Sequence, residues 1–81
     1  MDVSLELTLS PLDAGFDQIV LDFIGKLEES EYAVVRNPLS THIYGDYRGI
    51  MDVVVPLVEE TFKQHEHILL YMKIVNGDRR D

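Results

Sequence analysis

Cysteine is absent from the chain. No disulfide can form and no thiolate can hold a metal, a pattern that suits a reducing compartment, so a cytoplasmic location is expected. Bases are scarce: seven Lys and Arg against fifteen Asp and Glu leave a net charge of −8. A chain that repels phosphate lacks the main source of nucleic-acid affinity. Its acidity serves solubility, or favours a neutral or cationic ligand. No apolar run approaches the roughly 18 residues of a membrane span, so membrane insertion is not expected. The start, MDVSLELTL, lacks a basic segment and has an acid at position 2, so a signal peptide is not expected either. Also missing are a G-x-S-x-G elbow, a P-loop and a G-x-G-x-x-G turn. No linker, repeat or low-complexity tract interrupts the sequence.

With 81 residues, the chain has room for one domain, taken here as residues 1–81. A hydrophobic share of 46% and a charged share of 27% are those of a globular protein. A domain this small hides only about 60–65% of its unfolded surface. Its core alone gives marginal stability, which a second subunit would raise.

The patterning is legible along the chain. Val3, Leu5, Leu7 and Leu9 alternate with Ser4, Glu6 and Thr8, the period of a strand with one apolar face. Ser10-Pro11-Leu12-Asp13 ends it, because proline cannot extend a ladder. From Asp13 to Glu29 the period becomes helical, with Phe16, Ile19, Val20, Phe23, Ile24 and Leu27 on one stripe and Asp13 as the expected N-cap. YAVVR (32–36) and THIY (41–44) read as a hairpin around Asn37-Pro38, with Gly45 closing the second strand. Asp46 is placed to cap a second helix whose stripe runs through Tyr47, Ile50, Met51, Val54, Leu57 or Val58, and Thr61 or Phe62. Val53-Val54-Val55 and Pro56 oppose that helix, so a kink is expected at 52–56. HILLYMKIV (67–75) is a final strand, and the residues from Gly77 onward read as a frayed tail.

The order β-α-β-β-α-β suits a ferredoxin-like α+β fold, with a four-stranded antiparallel sheet and both helices on one face. The other face is then open. Ser4, Glu6, Thr8, Ser10, His42, Tyr44, Leu69, Tyr71, Lys73 and Val75 should lie on it. That mixture is too apolar for water and too polar for a core, so sheet-on-sheet association with another subunit is expected. Glu6 and Lys73 are placed to form a cross-strand ion pair; alternatively, Glu6 meets an amine-bearing ligand. His42, His65 and His67 do not amount to a metal site by spacing, and none is expected.

One stretch is distinctive: Asn37-Pro38-Leu39-Ser40-Thr41-His42-Ile43-Tyr44-Gly45-Asp46. With the Ser10-Pro11-Leu12-Asp13 turn before the first helix and Lys73-Ile74-Val75 in the last strand, it resembles the YkoF-like thiamine-binding family. That family has a P-L-G-like turn, a G-P-M-S-T-x-I-x-G-D segment and a terminal K-I-D. Asp13, Asn37 and Val75 depart from this pattern. The resemblance implies a ferredoxin-like, non-enzymatic binder of thiamine or its hydroxymethylpyrimidine portion, linked to vitamin uptake or salvage, with sheets packed face to face in a homo-oligomer, dimer or tetramer. No cofactor beyond that ligand is implied. Ser40 and Thr41 are carried over as ligand-binding residues by motif position. Glu6, Ser10, Tyr44 and Tyr71 join them as open-face candidates. Hydroxyls and a carboxylate match the donors and acceptors of an aminopyrimidine, and a tyrosine face suits a thiazolium cation. The alternative is a regulatory or protein-interaction module that oligomerises through its open sheet face; an enzyme is the weakest reading.

Overall fold

The computed structural model describes residues 1–12 and 17–80. Asp13 and Phe16, assigned above to the first helix, lie outside the described residues. The elements run β1 (Asp2–Pro11), α1 (Asp17–Glu28), β2 (Ala33–Arg36), β3 (Thr41–Asp46), α2 (Tyr47–Gln64) and β4 (Ile68–Asn76). The strands form one antiparallel sheet in the order β2-β3-β1-β4. This is the expected ferredoxin-like α+β arrangement.

Alternation in β1 decides which side the helices cover. Val3, Leu5 and Leu7 are buried with Ile43 of β3, Phe23 and Leu27 of α1, and Ile50, Val54 and Leu57 of α2. Fully burying each such side chain contributes about 1.5–3 kcal/mol, so this single cluster holds the domain together. Ile43 stands directly opposite Leu5, at the centre of the sheet.

The hairpin is closed by a four-residue turn in which the Asn37 N–H donates to Ser40 O at 2.9 Å. β3 does not stop at Gly45 as expected. It continues to Asp46, with Gly45 at φ 152°. The Tyr32 ring lies against this glycine: a Cβ at Gly45 would sit 2.5 Å from Tyr32 Cδ1. Asp46 then caps α2, its carboxylate accepting the Gly49 N–H at 3.1 Å. α2 is one element across Val53-Val54-Val55 and Pro56. Buried Val54 and Leu57 anchor both sides of the proline, so core packing outweighs the local strand preference.

The tail corrects another expectation. Ser4 Oγ donates to Gly77 O at 2.8 Å and accepts the Arg79 N–H at 2.8 Å. Residues 77–80 are thereby strapped onto the open face, and Ser4 is only 7% exposed.

Candidate binding site on the open sheet face

The strand registers lay out the open face row by row. One row crosses the sheet as Val35, His42, Glu6 and Lys73, and the next as Ala33, Tyr44, Ser4 and Val75. Thr8 faces Tyr71, and Ser10 faces Leu69, farther along the β1–β4 ladder.

His42 is the hub of the first two rows. Its Nε2 lies 3.1 Å from Glu6 Oε2 and 3.1 Å from Ser40 Oγ, and its Nδ1 lies 3.0 Å from the Tyr44 hydroxyl. The Tyr44 ring meets the imidazole edge-on, at 80°. A carboxylate only accepts, so the Glu6 contact requires a proton on Nε2. Ser40 can share that N–H as an acceptor, but it cannot hand its own proton to the same nitrogen. The geometry of a Ser–His pair is therefore present without an activated nucleophile. Nδ1 accepts from the phenol when the ring is neutral and donates to it when the ring is charged.

The expected Glu6–Lys73 pair forms in register but not as an ion pair, because the carboxylate turns to His42 instead. Lys73 extends from the opposite side of Glu6, with no ionic partner among the described residues. Glu6, His42, Tyr44, Lys73, Val75 and Arg79 line a shallow hollow of about 130 Å³. The tail closes one end of it. The Arg80 guanidinium lies 5.4 Å from the centre of the Tyr44 ring and pairs with Asp78, holding the Asp78 carboxyl below its ordinary range.

Of the six candidates, Glu6, Ser40 and Tyr44 are brought together around His42. Thr41 is not. It stands opposite Leu7, 5% exposed, on the helix side of the sheet. There it lines a second hollow of about 140 Å³ with Phe23, Val20, Pro38 and Ser40. Ser40 thus borders that hollow, while its hydroxyl reaches His42 on the open face. Ser10 sits near the far end of β1, and Tyr71, 65% exposed, lies one row beyond Lys73. Sequence reasoning put His42 on this face but not at its centre; the signal was the i, i+2 spacing of Ser40, His42 and Tyr44. Arg79 had no signal beyond its charge. No group of three or more His, Asp or Glu residues able to hold a metal occurs among the described residues.

The fold has solved relatives. Protein SP2199 of Streptococcus pneumoniae superposes with a TM-score of 0.86 at 24% identity, over 96% of this chain and 89% of that one. A Thermotoga maritima protein assigned provisionally to thiamine biosynthesis or salvage gives a TM-score of 0.85 at 18% identity, over 95% and 85%. A domain of unknown function, DUF77, from Bacillus cereus gives 0.74 at 18%, over 98% and 77%. Likeness at these identities establishes the shared fold. No family model matches the sequence, and no curated protein matches it closely.

Proposed function

We propose that the protein is a non-enzymatic binder of a small aminopyrimidine, either thiamine or its hydroxymethylpyrimidine portion, in vitamin uptake or salvage. The carrying observation is the Glu6–His42–Tyr44–Ser40 network beside an open hollow on the uncovered sheet face. Glu6 offers an acceptor to an exocyclic amine and the Tyr44 hydroxyl meets a ring nitrogen or a hydroxymethyl group, while Ser40, outside the hollow's lining, holds the His42 ring in place. The hollow is smaller than the roughly 300 Å³ at which drug-sized sites begin, which suits a single ring. Lys73 and Arg79 disfavour a bare thiazolium there, so the pyrimidine end is the part placed inside. The Thermotoga maritima relative, with its provisional thiamine assignment, supports the same ligand class. A second subunit packed on the open face would complete the enclosure.

Thermal melts with thiamine and with hydroxymethylpyrimidine test this reading. A ligand at a hundredfold its Kd adds about 2.7 kcal/mol, which raises the Tm of a domain this size by roughly 10 °C or more. Glu6→Gln and Ser40→Ala should each weaken binding by about tenfold or more, whereas Thr41→Val should leave affinity unchanged. Should neither compound move the melt, the interaction module becomes the better account of the face.

A further inference from the structure

Most bases of this acidic chain stand beside a carboxylate. Lys26 pairs with Glu60, Arg36 with Glu28, Lys63 with Glu59 and Arg80 with Asp78. Arg48 acts on the Asp46 carboxyl and helps to lower its pKa. Of the seven Lys and Arg, that leaves Lys73 and Arg79. Neither has a carboxylate partner among the described residues. They come from different segments, β4 and the tail, yet both line the hollow on the open face. The two acids close by are engaged elsewhere. Glu6 is turned to the imidazole of His42, and Asp78 is held by Arg80.

The backbone puts these two cations on one side of the hollow. Lys73 stands opposite Glu6 in the β1–β4 ladder. The Arg79 N–H donates to Ser4 Oγ at 2.8 Å, one row away, where Ser4 faces Val75. Arg79 Nε donates back to Asn76 O of β4 at 3.1 Å, which keeps the guanidinium on the β4 side and leaves its terminal amino groups to donate elsewhere. The hollow therefore has two unlike walls. Toward β3 stand the Glu6 carboxylate and the Tyr44 hydroxyl, gathered around His42. Toward β4 stand an ammonium and a guanidinium. Strands β3 and β4 are two strand spacings apart, roughly 10 Å.

We infer that Lys73 and Arg79 form an anion subsite at the rim of the hollow, and that it takes the phosphate of a phosphorylated aminopyrimidine. The pyrimidine half of this assignment rests on the function proposed above; the phosphate half stands on the two cations. A phosphate monoester carries close to two negative charges near neutral pH, the match for two cations that no carboxylate neutralises. The guanidinium presents parallel N–H groups to two phosphate oxygens, and the ammonium adds a point charge. A carboxylate substituent would meet the same pair with half the charge. The ring fills the hollow of about 130 Å³, with its amino group at Glu6, and the phosphate stays at the open rim. One exposed cation would hold an anion only weakly, because water and salt screen it. Two that converge on a group whose ring is already seated do better. The net charge of −8 repels anions at long range, so the subsite selects by contact rather than by steering.

Titration calorimetry with hydroxymethylpyrimidine and with its phosphate monoester reads the subsite as a ratio of two Kd values. The ester should bind about tenfold tighter or more, and added salt should shrink that margin. Lys73→Gln and Arg79→Gln should each bring the ratio toward one. Arg79→Gln keeps the N–H that bonds Ser4, so the tail stays in place. Variants that weaken both ligands alike and leave the ratio where it was overturn the inference, since that is the mark of a merely structural role. An ester that binds no tighter than the alcohol also overturns it, while the pyrimidine reading of the hollow survives. Inorganic phosphate supplies a readout that needs no pyrimidine. Against chloride at the same ionic strength, it should shift the side-chain resonances of Lys73 and Arg79 and spare those of Lys63, which is paired with Glu59. If it does so while neither pyrimidine binds, the anion subsite stands and the pyrimidine assignment falls. Equal shifts at all three residues, or none at Lys73 and Arg79, overturn the subsite.

Discussion

Tyr32 is held by what its neighbours lack. Its ring occupies the space where side chains would stand at Gly45 and Gly49, and burial raises its hydroxyl pKa. Gly45→Ala must push this ring away and also accept φ 152°, so a loss of about 2 kcal/mol or more is expected in a urea melt. Adding Tyr32→Ala removes the clash but not the backbone cost. The double variant should therefore lose less than the sum of its parts, a coupling that a double-mutant cycle reads directly. At this same scale the sequence was only partly readable. The alternation of β1 fixed the faces of Glu6 and Ser4, and the motif singled out Ser40 and Thr41. Nothing in the order of residues says which of two cross-strand neighbours a carboxylate prefers. Glu6 lies between Lys73 and His42, and it bonds to the ring that Tyr44 and Ser40 already orient.

Among the elements, α2 shows how a helix survives an unfavourable sequence. Its three consecutive valines and Pro56 oppose it, but one flank reaches the core and the start is capped. The Asp46 carboxyl titrates below its ordinary range, chiefly because it accepts the Gly49 N–H and next because the Met1 ammonium lies 3.1 Å away. A carboxyl lowered by folding stabilises the native state above its unfolded value, near 3.9. That contribution is lost as pH falls through the lower folded value. Asp46→Ala should thus lower Tm by roughly 5 °C at pH 6, with the gap to the native chain closing as the melts are carried to pH 2. Element existence was legible from periodicity throughout, since the switch from period two to 3.6 is abrupt on either side of each helix. Element ends were less so. Gly45 was read as the end of its strand, but here it accommodates a ring; the end of β4 at Asn76 was legible, whereas the tail beyond it, read as frayed, turns back over Ser4.

For the molecule as a whole, the open face is polar and hollowed. The topology predicted it, since two helices can cover only one side of the sheet. The tail joins the face to the chain end through one hydroxyl. Ser4→Ala removes the bonds to Gly77 and Arg79 together, so trypsin should cleave after Arg79 or Arg80 several-fold faster while the Tm of the sheet changes little.

That strap has a practical side. A purification tag fused beyond Arg80 would begin its path beside the Tyr44 ring, at the mouth of the hollow. Affinities measured on such a fusion would describe a half-stoppered vessel. An extension ahead of Met1 would instead trade its ammonium for an uncharged amide and slacken the Asp46 cap, leaving the mouth clear.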